Sequence, residues 1–403
     1  MQQRSKNQQN PKRALLIGRD YFLAWTLPQL LARAGFSVDV VSSSRVMSRC
    51  KFVQNCDIVS FRQSLIPVIV ERMKKHYDWV IITEDGLLTD VLQSNLSLEV
   101  KLRILPVQQE KDFAHLYSKI GLSRMFSAEG VCTPLFAVVH NLPQALSEAE
   151  QLGYPLLLKR DSSCGGNGIF EINSSADLHS IDSDLFHKSI LLQKKITGIE
   201  LDLSALYFEG NLIHFNYAKV EKTCWKFGIS SIRTYHPISL VDEQIFQELA
   251  HIGKVLGAHG FTNIGCIQAE ERRFYFEADM RPNVWVEFPK FFGEDPAIRI
   301  RKWFLSKETL NYPASLASDS LIVLPYFLRL KWFELLFNRY NVWRYIPWDD
   351  YKLTLRLIRI SLFSFGLKSR FILLVKWVIP PKHHKHFRKW KSLCLSRFSF
   401  PTH

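Results

Sequence analysis

The sequence predicts a mixed α/β (α+β) protein: an open parallel α/β domain, a domain of two α+β subdomains and a basic helical extension. Two patterns lead to this prediction. Near the start, the apolar stretch Ala14 to Gly18, a helical stretch ended by Gly35 and the apolar stretch Ser37 to Ser42 form one βαβ unit, which is typical of a parallel sheet. In the middle of the chain, short apolar strands alternate with glycine turns. The expected parts are residues 1–105, 106–310 (subdomains 106–190 and 191–310) and 311–403.

The first domain carries little sign of a dinucleotide site. Gly18, which ends the first strand, is followed by Arg19 and Asp20 rather than by a Gly-x-Gly-x-x-Gly turn. Further strands are predicted at Asp57 to Ser60 and at Trp79 to Thr83. The sequence therefore predicts an open sheet here, without that motif.

A glycine-rich loop follows the strand that ends at Lys159. The glycines Gly165, Gly166 and Gly168 would let the backbone approach a ligand and present N–H groups to phosphate oxygens. Lys159 would add a point charge at the same place. The order Gly-x-x-x-x-Gly-Lys-Ser/Thr of a Walker loop is absent. The alternative is an ordinary glycine hairpin with a solvated lysine.

Two carboxylates lie at the end of a short aromatic strand that begins at Phe274. Glu277 and Asp279 are two residues apart, so they point to the same face of the strand, and Arg281 continues the series. Paired acids of this kind suit Mg²⁺, which takes one or two carboxylates and leaves its other positions to phosphate and water. Gln268, on the preceding strand of a predicted hairpin, would face the same cation. The alternative is a strand end with solvated acids, one of them paired with the arginine.

Four motifs in this order resemble the ATP-grasp superfamily, which includes carbamoyl phosphate synthetase, biotin carboxylase and carboxylate–amine ligases. They lie at Lys119, at Lys159 with its loop, from Gln193 to Glu200 and from Gln268 to Asn283. In that family a Glu-x-Asn-x-Arg sequence closes the nucleotide site. Here Asp279 stands at the position of the asparagine, which keeps an oxygen ligand and adds a negative charge.

The resemblance implies that ATP binds between the two subdomains, with Mg²⁺ or Mn²⁺ as the metal. The motif from Gln193 to Glu200 would contain a hinge whose backbone binds adenine, and Glu200 would hold the ribose or approach the metal. Lys194 stands where the family often has a glutamate, which need not change the backbone contacts. The implied ATP-binding residues are Lys119, Lys159, Gly165, Gly166, Gly168, Gln193, Lys194, Lys195, Ile196 and Glu200. The implied metal ligands are Gln268, Glu277 and Asp279.

The reaction implied by the resemblance is an ADP-forming ligation. A carboxylate attacks the γ-phosphate of ATP, and an amine or similar nucleophile then displaces phosphate from the acyl phosphate. Lys159 and Arg281 would be the catalytic groups that offset charge on the transferred group. Lys219, Arg233 and Asn283 are candidates for binding the substrate, although the cationic loop around Gly228 could equally be a solvated turn. The expected partners are thus a small carboxylate and a small amine.

The basic end of the chain is a separate feature. The net charge is +14, and residues 321–403 carry sixteen lysines and arginines against three acids. This region offers no 18 uninterrupted apolar residues, so a spanning helix is not expected. Basic helices with aromatic residues suit an anionic membrane surface, while an appendage packed on the body is the alternative and nucleic acid is the least favoured partner. The expected interfacial anchors are Trp332, Trp343, Trp348, Trp377 and Trp390.

The cysteines indicate a reduced compartment. There are seven, an odd number, with no Cys-x-x-Cys pair, and the polar N-terminus shows no export signal. We therefore expect a cytoplasmic protein, peripheral at the inner membrane face if the basic end binds lipid. The sequence leaves a second function open, which is an ATP-binding protein without turnover, docked to a membrane or partner through residues 321–403. It makes no prediction of oligomeric state.

Overall fold

The computed structural model describes residues 11–20, 25–163, 165–311, 322–325 and 349–357. The chain divides into two units, Met1–Pro325 and Tyr326–His403. In the second unit, residues 351–357 are helical. The tryptophans expected to anchor the basic end, and most of the region 321–403, lie outside the described residues, so its membrane contact stays a prediction. Within the described ranges, no helix is long and apolar enough to cross a bilayer.

The first domain is an open α/β sheet. Its elements are β1 (Lys12–Gly18), α1 (Leu27–Arg33), β2 (Phe36–Ser42), β3 (Val53–Ile58), α2 (Ile66–Met73), β4 (Trp79–Ile82), α3 (Asp85–Gln93) and α4 (Leu98–Ile104). The four strands are all parallel and follow the order β3-β2-β1-β4, so the predicted parallel sheet is confirmed. Because β2 and β4 flank β1 on opposite sides, the carboxyl ends of β1 and β4 border a crevice of the kind that binds ligands in α/β proteins.

A second, antiparallel sheet forms the smaller part of the central region. Its elements are α5 (Lys119–Ala128), β5 (Phe136–Val139), α6 (Leu142–Leu152), β6 (Leu156–Arg160), β7 (Ile169–Ile172), α7 (Ser175–His179) and β8 (Ile190–Lys194). The strand order is β5-β8-β6-β7. Leu156 and Leu158 are fully buried in a cluster with Ala145 and Ala149 of α6. Because side chains alternate along a strand, Lys159 lies on the opposite face, away from that helix.

The third sheet has seven strands and is the largest of the three. The elements are β9 (Ile199–Phe208), β10 (Asn211–Phe215), β11 (Tyr217–Thr223), β12 (Ser230–His236), α8 (Glu243–Val255), β13 (Gly260–Ala269), β14 (Arg272–Asp279), α9 (Pro296–Ser306) and β15 (Ile322–Pro325). The strand order is β14-β13-β9-β11-β12-β15, and β10 pairs with β9 outside this path. All pairings within this sheet are antiparallel. Short 3-10 helices lie at Met47–Arg49, Glu110–His115, Ser183–His187, Ile238–Leu240 and Phe288–Phe292.

Arginine side chains join the first domain to this third sheet. Arg33, the last residue of α1, pairs with Glu287 at 3.2 Å and with Asp295 at 3.1 Å. Arg281, just after β14, pairs with Asp85 at 2.8 Å. Because Asp85 follows β4, the Arg281–Asp85 pair places the carboxyl edge of the parallel sheet beside the end of β14.

Candidate active site

The end of β14 carries the predicted pair of carboxylates. Nη2 of Arg281 donates a hydrogen bond of 2.8 Å to Oδ2 of Asp279. Partial burial in the cleft raises the pKa of the Asp279 carboxyl well above its usual range. The negative charges of Glu277 and Asp85 act in the same direction, and the Arg281 guanidinium opposes them. The predicted acids therefore lie side by side, with Asp85 as a neighbour that the sequence did not suggest.

The register of the β13–β14 hairpin excludes one predicted metal ligand. Gly265 pairs with Glu277, whereas Gln268 pairs with Arg273. Three residues of strand separate these positions, which is about 10 Å. The expectation that Gln268 shares a cation with Glu277 is therefore wrong, because Gln268 lies near the turn of the hairpin and Glu277 lies toward its other end. The register shifts between Gly265 and Cys266, and no sequence pattern located that bulge.

Lys159 reaches the cleft between the second and third sheets. Only 4% of the residue is exposed, and its Nζ donates a hydrogen bond of 2.6 Å to Oε1 of Gln193. The same nitrogen lies 5.0 Å from the centroid of the Phe276 ring on β14. Burial lowers the pKa of the Lys159 amine to about 8; Glu277 opposes this shift and Lys119 adds to it. Because Lys159, Gln193 and Phe276 meet here, the two sheets enclose a common site.

Lys119 lies beside the glycine-rich loop, at the start of α5. Its Nζ donates to the backbone oxygens of Asp161 and Ser163 and, at 3.2 Å, to Oγ of Ser163. The Asp161 carboxylate in turn accepts a 2.8 Å bond from the backbone N–H of Ile120, in the first turn of the same helix. These contacts bring the first two predicted phosphate-binding motifs together.

The glycines of the loop pack against the tip of the β11–β12 hairpin. Gly165, Gly166 and Gly168 all have positive φ, between 61° and 80°. A Cβ atom on Gly166 would lie 2.0 Å from the carbonyl oxygen of Phe227. Nε1 of Trp225 donates a hydrogen bond of 3.0 Å to the carbonyl oxygen of Gly165. The loop needs glycine at these positions because of both its backbone conformation and this close approach.

The hinge residues direct their long side chains toward the second sheet. Nζ of Lys194 donates to the carbonyl oxygen of Gly153 at 2.7 Å, and Lys195 pairs with Glu171 at 2.8 Å. A cavity of about 720 Å³ lies beside the hinge, lined by residues 195–199 and by Phe274 of β14 among others. Its size is within the range of small-molecule sites.

On β9, Glu200 and Asp202 add two carboxylates to the acids Glu277 and Asp279 of β14. Burial raises the pKa of Glu200, and the charges of Asp202 and Glu277 raise it further. Asp202 was not predicted; it pairs with Gly265 on β13, so it stands in one cross-strand row with Glu277. Only Glu200 was predicted in this strand, because no sequence pattern distinguished Asp202 as a second functional carboxylate.

The three candidate substrate-binding residues do not form an open cationic site. Arg233 is 5% exposed, and its Nη2 pairs with Asp202 at 2.5 Å. Asn283 is 6% exposed and donates a 2.7 Å bond to Oγ of Ser204. Lys219 lies at the surface, 3.8 Å from Glu221. The expectation that Arg233 and Asn283 bind substrate therefore stays a prediction, and both side chains are buried and bonded to other residues of the protein.

The protein resembles known proteins in sequence and in fold. No protein-family model matches the chain. The carbamoyl phosphate synthase large chain of Clostridium botulinum (strain Eklund 17B / Type B) is 20% identical over 258 residues, which is 60% of this chain. The matched region is 23% of that synthase, so the chain corresponds to less than a quarter of its length.

Solved structures match most of the chain. The N5-carboxyaminoimidazole synthetase of Staphylococcus aureus, complexed with ADP, matches with a TM-score of 0.60 and 14% identity, over 82% of this chain and 86% of that one. The biotin carboxylase domain of the 2-oxoglutarate carboxylase of Hydrogenobacter thermophilus, complexed with MgADP, ADP and bicarbonate, matches with a TM-score of 0.59 and 16% identity, over 75% and 71%. This chain has the ATP-grasp fold.

The carboxylates in the ATP-grasp cleft fit a magnesium ion that is completed by phosphate. Among the residues that the structure describes, no group of three or more His, Cys, Asp or Glu side chains could hold a metal by itself. Mg²⁺ does not require such a cage, since one or two carboxylates with phosphates and water are its usual ligands. Glu277 and Asp279 supply that number of oxygen donors.

Proposed function

We propose that this protein is an ATP- and Mg²⁺-dependent ligase, which activates a carboxylate as an acyl phosphate for attack by an amine or similar nucleophile. The observation that carries the proposal is the buried Lys159 amine, which reaches from the second sheet to the Phe276 ring, next to Glu277 on β14, in the cleft of an ATP-grasp fold. Phosphoryl transfer depends on positioning and charge neutralisation more than on a protein nucleophile. A buried lysine opposite paired acids supplies both.

The residues of the cleft have distinct parts in this proposal. Lys119, Lys159 and the N–H groups of the glycine loop would hold the phosphates of ATP. Glu277 and Asp279 would hold Mg²⁺ or Mn²⁺, which would supply positive charge to neutralise the phosphates. Arg281 would offset the charge on the transferred group. The cavity beside the hinge would take the adenine.

The substrates are proposed only as classes, a small carboxylate and a small amine. The crevice at the carboxyl ends of β1 and β4 adjoins Arg281 through Asp85, which makes it the place where an acceptor could meet the acyl phosphate. Since Arg233 and Asn283 are internally bonded, the acceptor site is not assigned to them.

A release assay for ADP tests the proposal. The full-length protein is incubated with Mg-ATP and with pooled carboxylates and amines, and we expect ADP release that requires both pools. Glu277→Ala should abolish the magnesium-dependent turnover, because one of two metal-binding carboxylates is lost. Glu271→Ala is the matched control, since Glu271 is an exposed acid at the turn of the same hairpin. Unchanged turnover in Glu277→Ala would rule out this metal site.

A second candidate is a nucleotide-binding protein without turnover. The observation that favours it is Gly265, which occupies the position opposite Glu277 on β13 and offers no ligand to a cation there. Tight binding of Mg-ATP without ADP release in any pool would support this candidate and reject the ligase.

A further inference from the structure

Arg281 is held between two carboxylates that come from different domains. Its Nη2 lies 2.8 Å from Oδ2 of Asp279, and its Nε lies 2.8 Å from Oδ2 of Asp85, the first residue of α3. The exposed fractions of the side chains are 12% for Arg281, 25% for Asp279 and 11% for Asp85. The contact is therefore a mostly buried bridge from the α/β domain to the end of β14.

One of these two carboxylates is also a proposed metal ligand. Nη2 of Arg281 occupies Oδ2 of Asp279, and because arginine does not lose its charge in proteins, its positive charge opposes a second cation at the same carboxylate. Arg281 and a divalent cation therefore compete for Asp279. An asparagine at this position could bind a metal through its oxygen but would form no ion pair with Arg281. The competition thus follows from the acid that this chain has at residue 279.

The other carboxylate is free of that competition. Asp85 forms its ion pair at a different nitrogen, with Oδ2 lying 2.8 Å from Nε of Arg281. When Asp279 is withdrawn, Arg281 keeps one buried ion pair and stays in the cleft.

We propose that a divalent cation releases Arg281 from Asp279, and that Asp85 holds the released arginine in the cleft. Arg281 gives up Asp279 when a divalent cation binds beside Glu277, and Asp85 keeps the guanidinium in place with its Nη atoms free to face the transferred phosphoryl group. Asp85 is thereby a positioning residue that acts through Arg281. This inference rests on the proposed function, because it assumes that Glu277 and Asp279 hold the metal.

Binding of Mn²⁺ to the full-length protein, at equal concentrations of protein and a non-hydrolysable ATP analogue, tests the competition, with free Mn²⁺ measured by electron paramagnetic resonance. Arg281→Met should bind Mn²⁺ about tenfold more tightly than the wild type, because a charged hydrogen bond to Asp279 no longer competes. In an Asp279→Asn background, the same Arg281→Met change should have an effect smaller than about threefold, since the competing ion pair is already absent.

The comparison of the two backgrounds decides the outcome. A gain confined to the Asp279 background supports the proposal. An equal gain in both backgrounds would mean that Arg281 acts only through its general positive field, and that result or the absence of any gain overturns the proposal. Thermal unfolding of each variant confirms that the protein is folded. Release of ADP by the wild type is measured separately, so failure of the ligase proposal is distinguished from failure of this one.

Asp85 has its own test. With saturating Mg-ATP, Asp85→Asn should lower kcat about tenfold with little change in the KM for ATP, because the released arginine loses its remaining partner. Asp85→Glu should restore part of kcat. Glu84→Gln removes a neighbouring acid that lies 3.9 Å from Arg19, and it serves as the control for charge alone. Equal effects of Asp85→Asn and Glu84→Gln on kcat and on Mn²⁺ affinity would reject the positioning role.

Discussion

Replacing Lys159 by methionine should raise the stability of the protein at neutral pH while weakening nucleotide binding. Burial lowers the pKa of the Lys159 amine from 10.5 to about 8. A shift of that size means that the charged amine costs the folded state about 3 kcal/mol at pH 7. Methionine removes this cost but leaves Oε1 of Gln193 without its donor, which costs about 1 to 2 kcal/mol. The net gain at pH 7 is therefore about 1 to 2 kcal/mol.

The pH dependence of this difference separates desolvation from other effects. The folded-state pKa of Lys159 lies below its unfolded value, so the unfolded chain binds more protons between pH 8 and pH 10.5. Wild-type stability relative to the variant therefore rises with pH in that window, and the advantage of Lys159→Met should shrink by about 2 to 3 kcal/mol between pH 7 and pH 10. Above the pH at which the wild type and Lys159→Met are equally stable, the wild type should be the more stable protein.

Urea unfolding at pH 7, 8, 9 and 10, followed by circular dichroism, measures the difference. Lys188→Met is the control, because Lys188 is an exposed lysine of the same subdomain. A Lys159→Met difference that stays constant from pH 7 to pH 10 would refute the reasoning, since it would show that the amine keeps its ordinary solvation in the folded state. Binding of Mg-ATP should weaken in Lys159→Met and not in the control.

Two further predictions concern a buried histidine and the glycine loop. Burial lowers the pKa of His115 to about 4, so the wild type should lose about 2 kcal/mol relative to His115→Gln as the pH falls from 7 to 5, measured by urea unfolding. A difference independent of pH would contradict the burial of a neutral imidazole. Gly166→Ala should raise the KM for ATP about tenfold, because its Cβ would meet the backbone of Phe227. Gly86→Ala, where nothing lies within 4 Å of the added atom, should leave KM unchanged.

Local patterns were enough to predict much of the fold. The apolar strand, helix and strand at the start of the chain predicted the parallel sheet, because short connections and the handedness of βαβ units leave few other arrangements. The strand that ends at Lys159 and the glycines after it were also readable, since positive φ and strand periodicity are properties of neighbouring residues. The spacing of Glu277 and Asp279 likewise placed both acids at one strand end.

Predictions that needed a register or a long-range partner were less successful. Gln268 was assigned to the metal because it precedes the β14 strand, but the bulge after Gly265 and the position of the turn place it opposite Arg273. Arg233 was grouped with the lysines of a cationic loop, and its partner Asp202, on a different strand, was not foreseen. Both cases have the same cause, which is that strand pairing brings together residues that no local pattern relates.

The amino-acid sequence alone determined which chemical groups are available: a lysine before a glycine loop, two acids and an arginine at a strand end. These follow from spacing within a few residues, where backbone periodicity sets direction. Only the tertiary structure decided which of them meet, with Asp85 brought to Arg281 and Gln193 to Lys159, because packing between sheets and domains depends on the whole chain. For that reason the cleft could be foreseen in outline, while the partner that holds its arginine could not.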